Sequence, residues 1–166
     1  MGILGAGKTS IATLLAKELG YQCIELDDYI LEKTTFKTVK EAYQVGKSLW
    51  KEEELKATKE LSKKDNIVIV CGGAMVENNL NIIYFQENAK DLKIIYLQTR
   101  PKILTNRLVK LYNEFEKAGP HEVLKRMEKY YDRRNILYEQ YADFVVNTED
   151  CIPEEAMQEV LKKLKK

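Results

Sequence analysis

The chain opens on a glycine-rich motif that constrains both its fold and its chemistry. Residues 2–9 read Gly-Ile-Leu-Gly-Ala-Gly-Lys-Thr, which fits the pattern G-x-x-x-x-G-K-[ST] of a phosphate-binding loop. Its glycines let the backbone turn N–H groups toward a phosphate chain, and a helix beginning near Lys8 adds the positive end of its dipole. The residues expected to contact a nucleotide are Gly5, Ala6, Gly7, Lys8, Thr9 and Ser10. In this interpretation the Lys8 ammonium reaches the β- and γ-phosphates and the Thr9 hydroxyl ligates Mg²⁺.

A loop of this kind normally follows the central buried strand of a parallel sheet, and such a strand needs about five residues. Only Met1 precedes the motif here, so the first strand is expected to be missing from this chain. We therefore expect the chain alone to be poorly stable and to bind ATP weakly. An added upstream apolar segment is expected to raise both properties.

Composition limits the remaining function classes. At 166 residues the chain is expected to form a single domain, residues 1–166. Lys and Arg total 27 against 26 Asp and Glu, so no strong field favours nucleic acid or a membrane surface. The spacing of Cys23, Cys71 and Cys151 is not that of a metal site, which suggests reduced thiols in a cytoplasmic protein. The protein is expected to be a monomer. His121 is the only histidine, which disfavours Ser-His-Asp chemistry and histidine-rich metal sites.

Hydrophobic patterning predicts an α/β fold with crossover helices. Short apolar runs predict strands at 21–26, 67–70, 94–97 and 144–146. The central two of these runs alternate little, as expected for parallel strands buried on both faces. Helical patterns cover 8–19, 28–43, 46–63, 77–89, 101–117, 120–141 and 153–165.

Polar and glycine residues follow two of the predicted strands. Glu25 and Asp27 close the strand 21–26, and strand alternation would place both on one side of the sheet. Because ligands in open α/β sheets bind beyond the carboxyl ends of strands, these acids are candidates for a metal shell and a catalytic base. The alternative is that they are helix N-cap acids, and this is the interpretation we favour for Asp28. The glycine pair Gly72-Gly73 follows the strand 67–70 and allows a ligand to approach the backbone closely.

Taken in order, these motifs resemble those of the shikimate kinases. The resemblance includes the G-x-x-G-x-G-K-T loop, the pair Glu25-x-Asp27, and the stretch Gly46-x-x-x-Trp50-Lys51-x-x-Glu54. It continues with Cys71-Gly72-Gly73-Ala74 and ends with Arg134-x-x-Leu137-Tyr138-Glu139-x-x-Ala142-Asp143. It covers roughly residues 2 to 150.

The resemblance implies a three-layer P-loop kinase of the nucleoside-monophosphate-kinase type, with a parallel sheet in the order 2-3-1-4-5. Such enzymes transfer the γ-phosphoryl group of ATP to the 3-hydroxyl of shikimate with Mg²⁺, in the biosynthesis of aromatic amino acids. It implies that Lys8 and Asp27 are catalytic, with Asp27 as the candidate base, and that Glu25 supports the metal together with Thr9. It places the substrate-binding segment at about 27–63 and a mobile lid at about 108–120. The residues implied to bind the substrate are Asp27, Lys51, Gly72, Gly73 and Arg134, and Arg107 lies where the family often places an arginine near the adenine.

The chain departs from the family pattern at four positions besides the missing strand. Glu25 replaces Asp, and Lys51 replaces an Arg, so a bidentate grip on a carboxylate becomes a point contact. Ala74 replaces the third glycine, which would cost about 1 kcal/mol if that position needed a positive φ. The lid segment 110–119 contains no arginine, and its cations are Lys110 and Lys117.

Three functions are therefore considered. The first is an ATP-dependent kinase for shikimate. The second is a kinase for another sugar acid such as gluconate, which the departures at Lys51, Ala74 and the lid leave open. A nucleotide acceptor is disfavoured, because its phosphate is usually held by several arginines and the chain has only five. The third is a non-catalytic homologue that binds nucleotide or a partner, which the altered lid and the absent strand would explain.

Overall fold

The computed structural model describes residues 1–165, and these fall into two compact units. The first unit contains Met1–Leu15 and the chain from Lys93 onward, and the second contains Ala16–Leu92. The helices are α1 (Lys8–Leu19), α2 (Leu26–Lys33), α3 (Val39–Val45), α4 (Lys47–Leu61), α5 (Asn79–Asn88), α6 (Pro101–Leu111), α7 (Asn113–Ala118), α8 (Pro120–Tyr141) and α9 (Pro153–Leu164). The strands are β1 (Gln22–Glu25), β2 (Ile67–Val70), β3 (Ile95–Gln98) and β4 (Phe144–Asn147), and a 3₁₀ turn covers Met75–Glu77.

The second unit is built around the parallel pair β1–β2. Its register sets Glu25 opposite Val70, so the segments that follow the two strands start at the same edge. The core of this unit includes Leu26 and Ile30 of α2 and the Trp50 and Leu61 side chains of α4, each at most 2% exposed. Trp50 packs against the ring of Tyr43 with 6.3 Å between centroids, which joins α4 to α3.

The first unit contains the second parallel pair, β3–β4, in which Gln98 lies opposite Asn147. The backbone of Met1 lies beside β3: its amino group donates to the Ile95 carbonyl at 2.6 Å, and its carbonyl accepts from Leu97 N–H at 2.9 Å. The adjacent residues Tyr96 and Leu97 are both buried, as expected for a strand covered on both faces. In the predicted order 2-3-1-4-5, strand 1 is the segment before the phosphate-binding loop, and β1–β4 correspond to strands 2–5. The pairs β1–β2 and β3–β4, and the contacts of Met1 with β3, are neighbours in this order.

The α/β prediction is confirmed, but two predicted helices are interrupted and a third begins later than predicted. The helix predicted at 28–43 is two helices, because residues 34–38 are extended or bent and Thr38 caps α3 by accepting the Glu41 N–H at 3.1 Å. The helix predicted at 101–117 breaks at Tyr112, whose φ of −134° is extended. The helix predicted at 77–89 is preceded by the 3₁₀ turn and begins at Asn79.

Two further observations concern the described chain as a whole. No disulfide joins Cys23, Cys71 and Cys151. Among residues 1–165, no helix has the length and apolar character needed to span a membrane.

Candidate functional site

The first unit contains the predicted phosphate-binding loop in a strongly bent conformation. Gly5 and Gly7 adopt φ values of +87° and +84°, which side chains disfavour. The Ala6 N–H donates to the Ile3 carbonyl at 3.1 Å and closes a turn inside the loop. A Cβ at Gly2 would lie 2.7 Å from the Leu97 carbonyl oxygen, so glycine is required where the chain passes β3. The motif thus has the bend that its sequence predicts.

The loop leads directly into α1, which begins at Lys8. The Lys8 ammonium donates to the Ile3 carbonyl at 3.1 Å, so it is held over the loop rather than extended away from it. Thr9 and Ser10 are exposed in the first turn of the helix. The positive end of the helix dipole and the lysine charge are therefore at the same end of α1, as binding of a polyphosphate requires.

Arg107 of α6 was predicted to lie near an adenine, and its guanidinium contacts the phosphate-binding loop. Nη1 donates to the Gly5 carbonyl at 3.3 Å. Nη2 donates to the Thr148 carbonyl and, at 3.1 Å, to the Glu149 carbonyl. Arg107 therefore links the loop to the segment after β4, and contact with a nucleotide base stays a prediction.

The second unit brings together the acidic pair and the glycine turn. Asp27 lies in the first turn of α2, which begins at Leu26 directly after β1. A Cβ at Gly72 would lie 2.8 Å from Asp27 Oδ1, so the missing side chain at Gly72 leaves room for this carboxylate. The register of β1 and β2 explains the proximity, because both residues follow strand ends at the same edge.

Two sequence interpretations of this acidic segment are wrong. Asp28 is not an N-cap, because the helix begins two residues earlier and its N-cap position is Glu25, which makes no side-chain capping bond. Strand alternation does not relate Glu25 to Asp27 either, since the strand ends at Glu25 and Asp27 is helical. The predicted site residues are nevertheless placed at the carboxyl end of β1.

The residues present fit a supporting role toward Mg²⁺. Oε1 of Glu25 is buried and has no hydrogen-bond partner among residues 1–165, an arrangement that a metal-bound water would satisfy. Among residues 1–165, no three His, Cys, Asp or Glu side chains converge as a metal cage.

A buried polar chain beside the acidic segment was not predicted as part of the site. Glu54 of α4 is 4% exposed and accepts from Asn81 Nδ2 at 2.7 Å, while the Thr58 hydroxyl donates to Asn81 Oδ1 at 3.4 Å. Burial raises the pKa of Glu54 to about 7, opposed by the Asn81 hydrogen bond. The charges of Asp27 and Lys51 also act on it, so Glu54 belongs to their surroundings. The available signal was a carboxylate on the same helix face as Trp50, Ala57 and Leu61.

Two of the departures from the family pattern have structural outcomes. Ala74 has φ of −90°, so it needs no left-handed conformation and the expected strain is absent. The lid segment contains the short helix α7, and its Phe115 is 7% exposed. The guanidinium of Arg126 on α8 lies 6.0 Å from the centre of the Phe115 ring. An arginine thus contacts the lid segment from another helix.

Arg134 belongs to the first unit, on α8, and is 9% exposed. Its guanidinium carbon lies 4.5 Å from the centre of the Tyr130 ring, one helical turn earlier. This is a cation–π contact that limits the orientations of the guanidinium. The predicted substrate residues Lys51, Gly72 and Gly73 belong to the second unit together with Asp27.

Comparisons with known proteins identify the family of this chain. The sequence model of the family described as shikimate kinase matches residues 4–165. A shikimate kinase of Thermodesulfovibrio yellowstonii is 30% identical over 165 residues, covering 98% of this chain and 91% of that protein. A shikimate kinase of Psychrobacter sp. strain PRwf-1 is 32% identical over 168 aligned positions, covering 99% and 89%.

Solved structures agree on the fold. Shikimate kinase from Bacteroides thetaiotaomicron superposes with a TM-score of 0.88 at 24% identity, over 100% of this chain and 96% of that one. Shikimate kinase from Acinetobacter baumannii in complex with shikimate gives a TM-score of 0.84 at 21% identity, over 99% and 89%. Since the family match extends over nearly the whole sequence, this chain belongs to the shikimate kinase family.

Proposed function

We propose that this protein transfers the γ-phosphoryl group of ATP to the 3-hydroxyl of shikimate. The observation that carries the proposal is the family match over residues 4–165, joined to a phosphate-binding loop in which Gly5 and Gly7 have the required positive φ. Phosphoryl transfer depends mainly on positioning and charge neutralisation, so a nucleotide loop and a site for a hydroxy acid are its principal requirements.

Asp27 is the proposed base. As the 3-hydroxyl oxygen bonds to the γ-phosphorus, the bond from that phosphorus to the β,γ-bridging oxygen breaks, and ADP carries away the electron pair. The hydroxyl proton passes to the Asp27 carboxylate. The closeness of this carboxylate to the backbone of Gly72 supports the assignment, because a hydroxyl bound there would contact both.

Lys51 and Arg134 are the proposed partners of the substrate carboxylate, with Gly72 and Gly73 as backbone contacts. Arg134 offers a planar pair of donors that matches a carboxylate, and Lys51 offers a single point charge. One proposed anion and two proposed cations suit a polyhydroxy acid better than a nucleotide acceptor.

Magnesium is the proposed metal, with Thr9 and, through water, Glu25 as its protein contacts. It would neutralise charge on the β- and γ-phosphates. Lys8 would act on the same phosphates from the start of α1, where its ammonium lies over the loop.

We also propose that the protein works as a monomer in the cytoplasm, which size-exclusion chromatography and cell fractionation would check.

The test is ADP release from ATP and Mg²⁺ in the presence of shikimate. We expect turnover with shikimate and a loss of at least about a hundredfold in kcat for Asp27→Asn, the scale typical of a removed general base. Asp28→Asn is the matched control, because this neighbouring acid is exposed and should retain wild-type kcat. Loss of activity in both variants, or in neither, would contradict the role of Asp27.

A kinase for another sugar acid is the second candidate, because Lys51 departs from the family arginine. The same assay with gluconate in place of shikimate separates the two. Faster turnover with gluconate would favour the second candidate. Nucleotide binding without transfer to either acid would favour a non-catalytic homologue.

A further inference from the structure

Two carbonyl groups of the phosphate-binding loop are bound by side chains from outside the loop. Arg107 Nη1 donates to the Gly5 carbonyl at 3.3 Å, and Thr148 Oγ1 donates to the Ala6 carbonyl at 3.2 Å. Thr148 follows β4 directly and is 2% exposed. It was not among the residues predicted from sequence to take part in the site.

The geometry of the peptide bond gives these contacts a consequence. In a trans peptide the carbonyl and the N–H point in opposite directions. A donor that holds the Ala6 carbonyl therefore also fixes the direction of the Gly7 N–H. Gly7 has φ of +84° and, lacking a side chain, resists rotation of this peptide less than other residues would. An external hydrogen bond is an effective way to hold it.

The proton of the Thr148 hydroxyl can be assigned from its neighbours. Its oxygen lies 2.6 Å from the Thr99 hydroxyl, 3.2 Å from the Ala6 carbonyl and 3.4 Å from the Gln98 carbonyl. The Gln98 carbonyl already accepts the Thr148 N–H at 2.9 Å, so Ala6 is the better acceptor. The Thr99 hydroxyl then donates its proton to the Thr148 oxygen, so each of the two hydroxyls donates one hydrogen bond.

Arg107 supports the same segment from the other side. Besides the Gly5 carbonyl, it binds the Thr148 and Glu149 carbonyls, so one guanidinium fixes the loop relative to residues 148–149. Glu149 is itself fixed, because its carboxylate accepts from the Arg100 backbone at 2.8 Å and from Arg100 Nε at 2.6 Å. The Thr148 hydroxyl is therefore held in place independently of the loop that it contacts.

We propose that Thr148, oriented by Thr99 and supported by Arg107, is a positioning residue that holds the Ala6–Gly7 peptide in the orientation needed for phosphate binding. The proposal rests on the nucleotide-binding half of the proposed function and is independent of the acceptor. Its effect is exerted on the nucleotide, so the affinity for ATP and ADP should depend on the hydroxyl and that for shikimate should not.

The test compares Thr148→Val, which removes the hydroxyl and keeps the shape, with Thr148→Ser, which keeps the hydroxyl. Binding of ADP with Mg²⁺ is measured by calorimetry, and KM values for ATP and shikimate by ADP release. We expect Thr148→Val to weaken ADP binding and raise the KM for ATP about fivefold to tenfold, the scale of one hydrogen bond in a buried site. The KM for shikimate should change less than about twofold by the same reasoning, and Thr148→Ser should restore most of the affinity.

Thr105→Val is the matched control. Thr105 is also buried, but its hydroxyl donates to the Pro101 carbonyl within its own helix, so this variant should bind ADP like the wild type. If Thr148→Val fails to fold, Thr99→Val decides, because it removes the donor that orients Thr148 and should weaken ADP binding in the same direction. ADP affinity equal to that of Thr105→Val, or a parallel rise in both KM values, would overturn the proposal.

The outcomes also separate this proposal from the proposed function. Weakened ADP binding in Thr148→Val, in a protein that does not phosphorylate shikimate, would support the role of Thr148 and refute the acceptor. Shikimate turnover with unchanged ADP affinity in Thr148→Val would support the proposed acceptor and refute the role of Thr148.

Discussion

Lys51 is the residue at which this chain differs most directly from the family pattern for substrate binding. Replacement by arginine should restore a bidentate contact with the substrate carboxylate, because the guanidinium presents two parallel donors. We predict that Lys51→Arg lowers the KM for shikimate about fivefold and leaves the KM for ATP unchanged, as measured by ADP release. Lys56→Arg on the same helix is the control, since Lys56 is exposed and pairs with Glu53. An unchanged or higher KM for shikimate would show that Lys51 does not contact the carboxylate as proposed.

The buried carboxyl group of Glu54 should make the stability of the protein depend on pH. Burial raises its pKa from 4.5 to about 7 in the folded state. Between these values the unfolded chain has released the proton and the folded chain retains it, so this group lowers the free energy of unfolding as pH rises from 4.5 to 7. Glu54→Gln removes the ionisation while keeping an oxygen for the Asn81 amide. We predict that its stability relative to wild type improves by on the order of 3 kcal/mol between pH 4 and pH 8, measured by urea denaturation.

Glu52→Gln is the control for this measurement, because Glu52 lies on the same helix and is exposed. It should show little change between the two pH values. A pH dependence of Glu54→Gln equal to that of Glu52→Gln would mean that Glu54 ionises normally in the folded protein.

At the scale of the helix, the periodicity of α8 places Tyr130 beside the side chain of Arg134. Tyr130 lies four residues earlier, and its ring faces the guanidinium at 4.5 Å. We predict that Tyr130→Leu raises the KM for shikimate about threefold to tenfold because the guanidinium loses a cation–π contact, and that Tyr130→Phe does not. The control is Tyr84→Leu, which removes a similar contact to Lys59 at 4.6 Å. Similar kinetics in Tyr130→Leu and Tyr84→Leu would contradict a positioning role for Tyr130.

Strands and long helices were the elements that the sequence predicted best. Each of the four strands lies within about two residues of its prediction, because Ile, Val and Leu runs between polar segments are typical of buried parallel strands. Helix α8 was predicted without error from Pro120 to Tyr141, since proline marks its start and the apolar periodicity continues through it.

Helix breaks were predicted poorly, for an identifiable reason. The interruptions at residues 34–38 and at Tyr112 contain neither glycine nor proline, which are the usual signals. The first break is accompanied by capping of α3 by Thr38 and the second by burial of Phe115, and a pattern of residue types reveals neither.

In the candidate site too, some residues could be predicted from the sequence and others could not. Residues carried by a motif, such as Lys8, Asp27 and the glycine pair, were named from sequence, although the local geometry of Asp27 was interpreted wrongly. Glu54 was part of the motif with Trp50 and Lys51 but was given no role, whereas Asn81 and Thr148 were missed because their significance lies in contacts between distant segments. Thr148 touches a carbonyl 142 positions away, and no local pattern predicts that contact.

At the scale of the whole molecule, the predicted site residues are distributed over both compact units. The nucleotide loop and Arg134 belong to the first, and Asp27 and Lys51 belong to the second. Ligand binding to the folded chain should stabilise it against unfolding by mass action.

We predict that Mg²⁺ and ADP at about a hundred times their Kd raise the free energy of unfolding by about 2.7 kcal/mol, which is about 5–10 °C in Tm for a chain of this size. Differential scanning fluorimetry measures the shift. Removal of Mg²⁺ with EDTA should reduce it, and Lys8→Ala should abolish most of it because the phosphates lose their cation. An equal shift in Lys8→Ala and wild type would exclude the glycine-rich loop as the nucleotide site.

The most direct test of the central claim is identification of the product by ³¹P NMR after incubation with ATP, Mg²⁺ and shikimate. We predict ADP and one new phosphomonoester in equal amounts, with the phosphorus coupled to the proton on carbon 3 of shikimate. Inorganic phosphate in place of the ester, or an ester at another hydroxyl, would contradict the assignment.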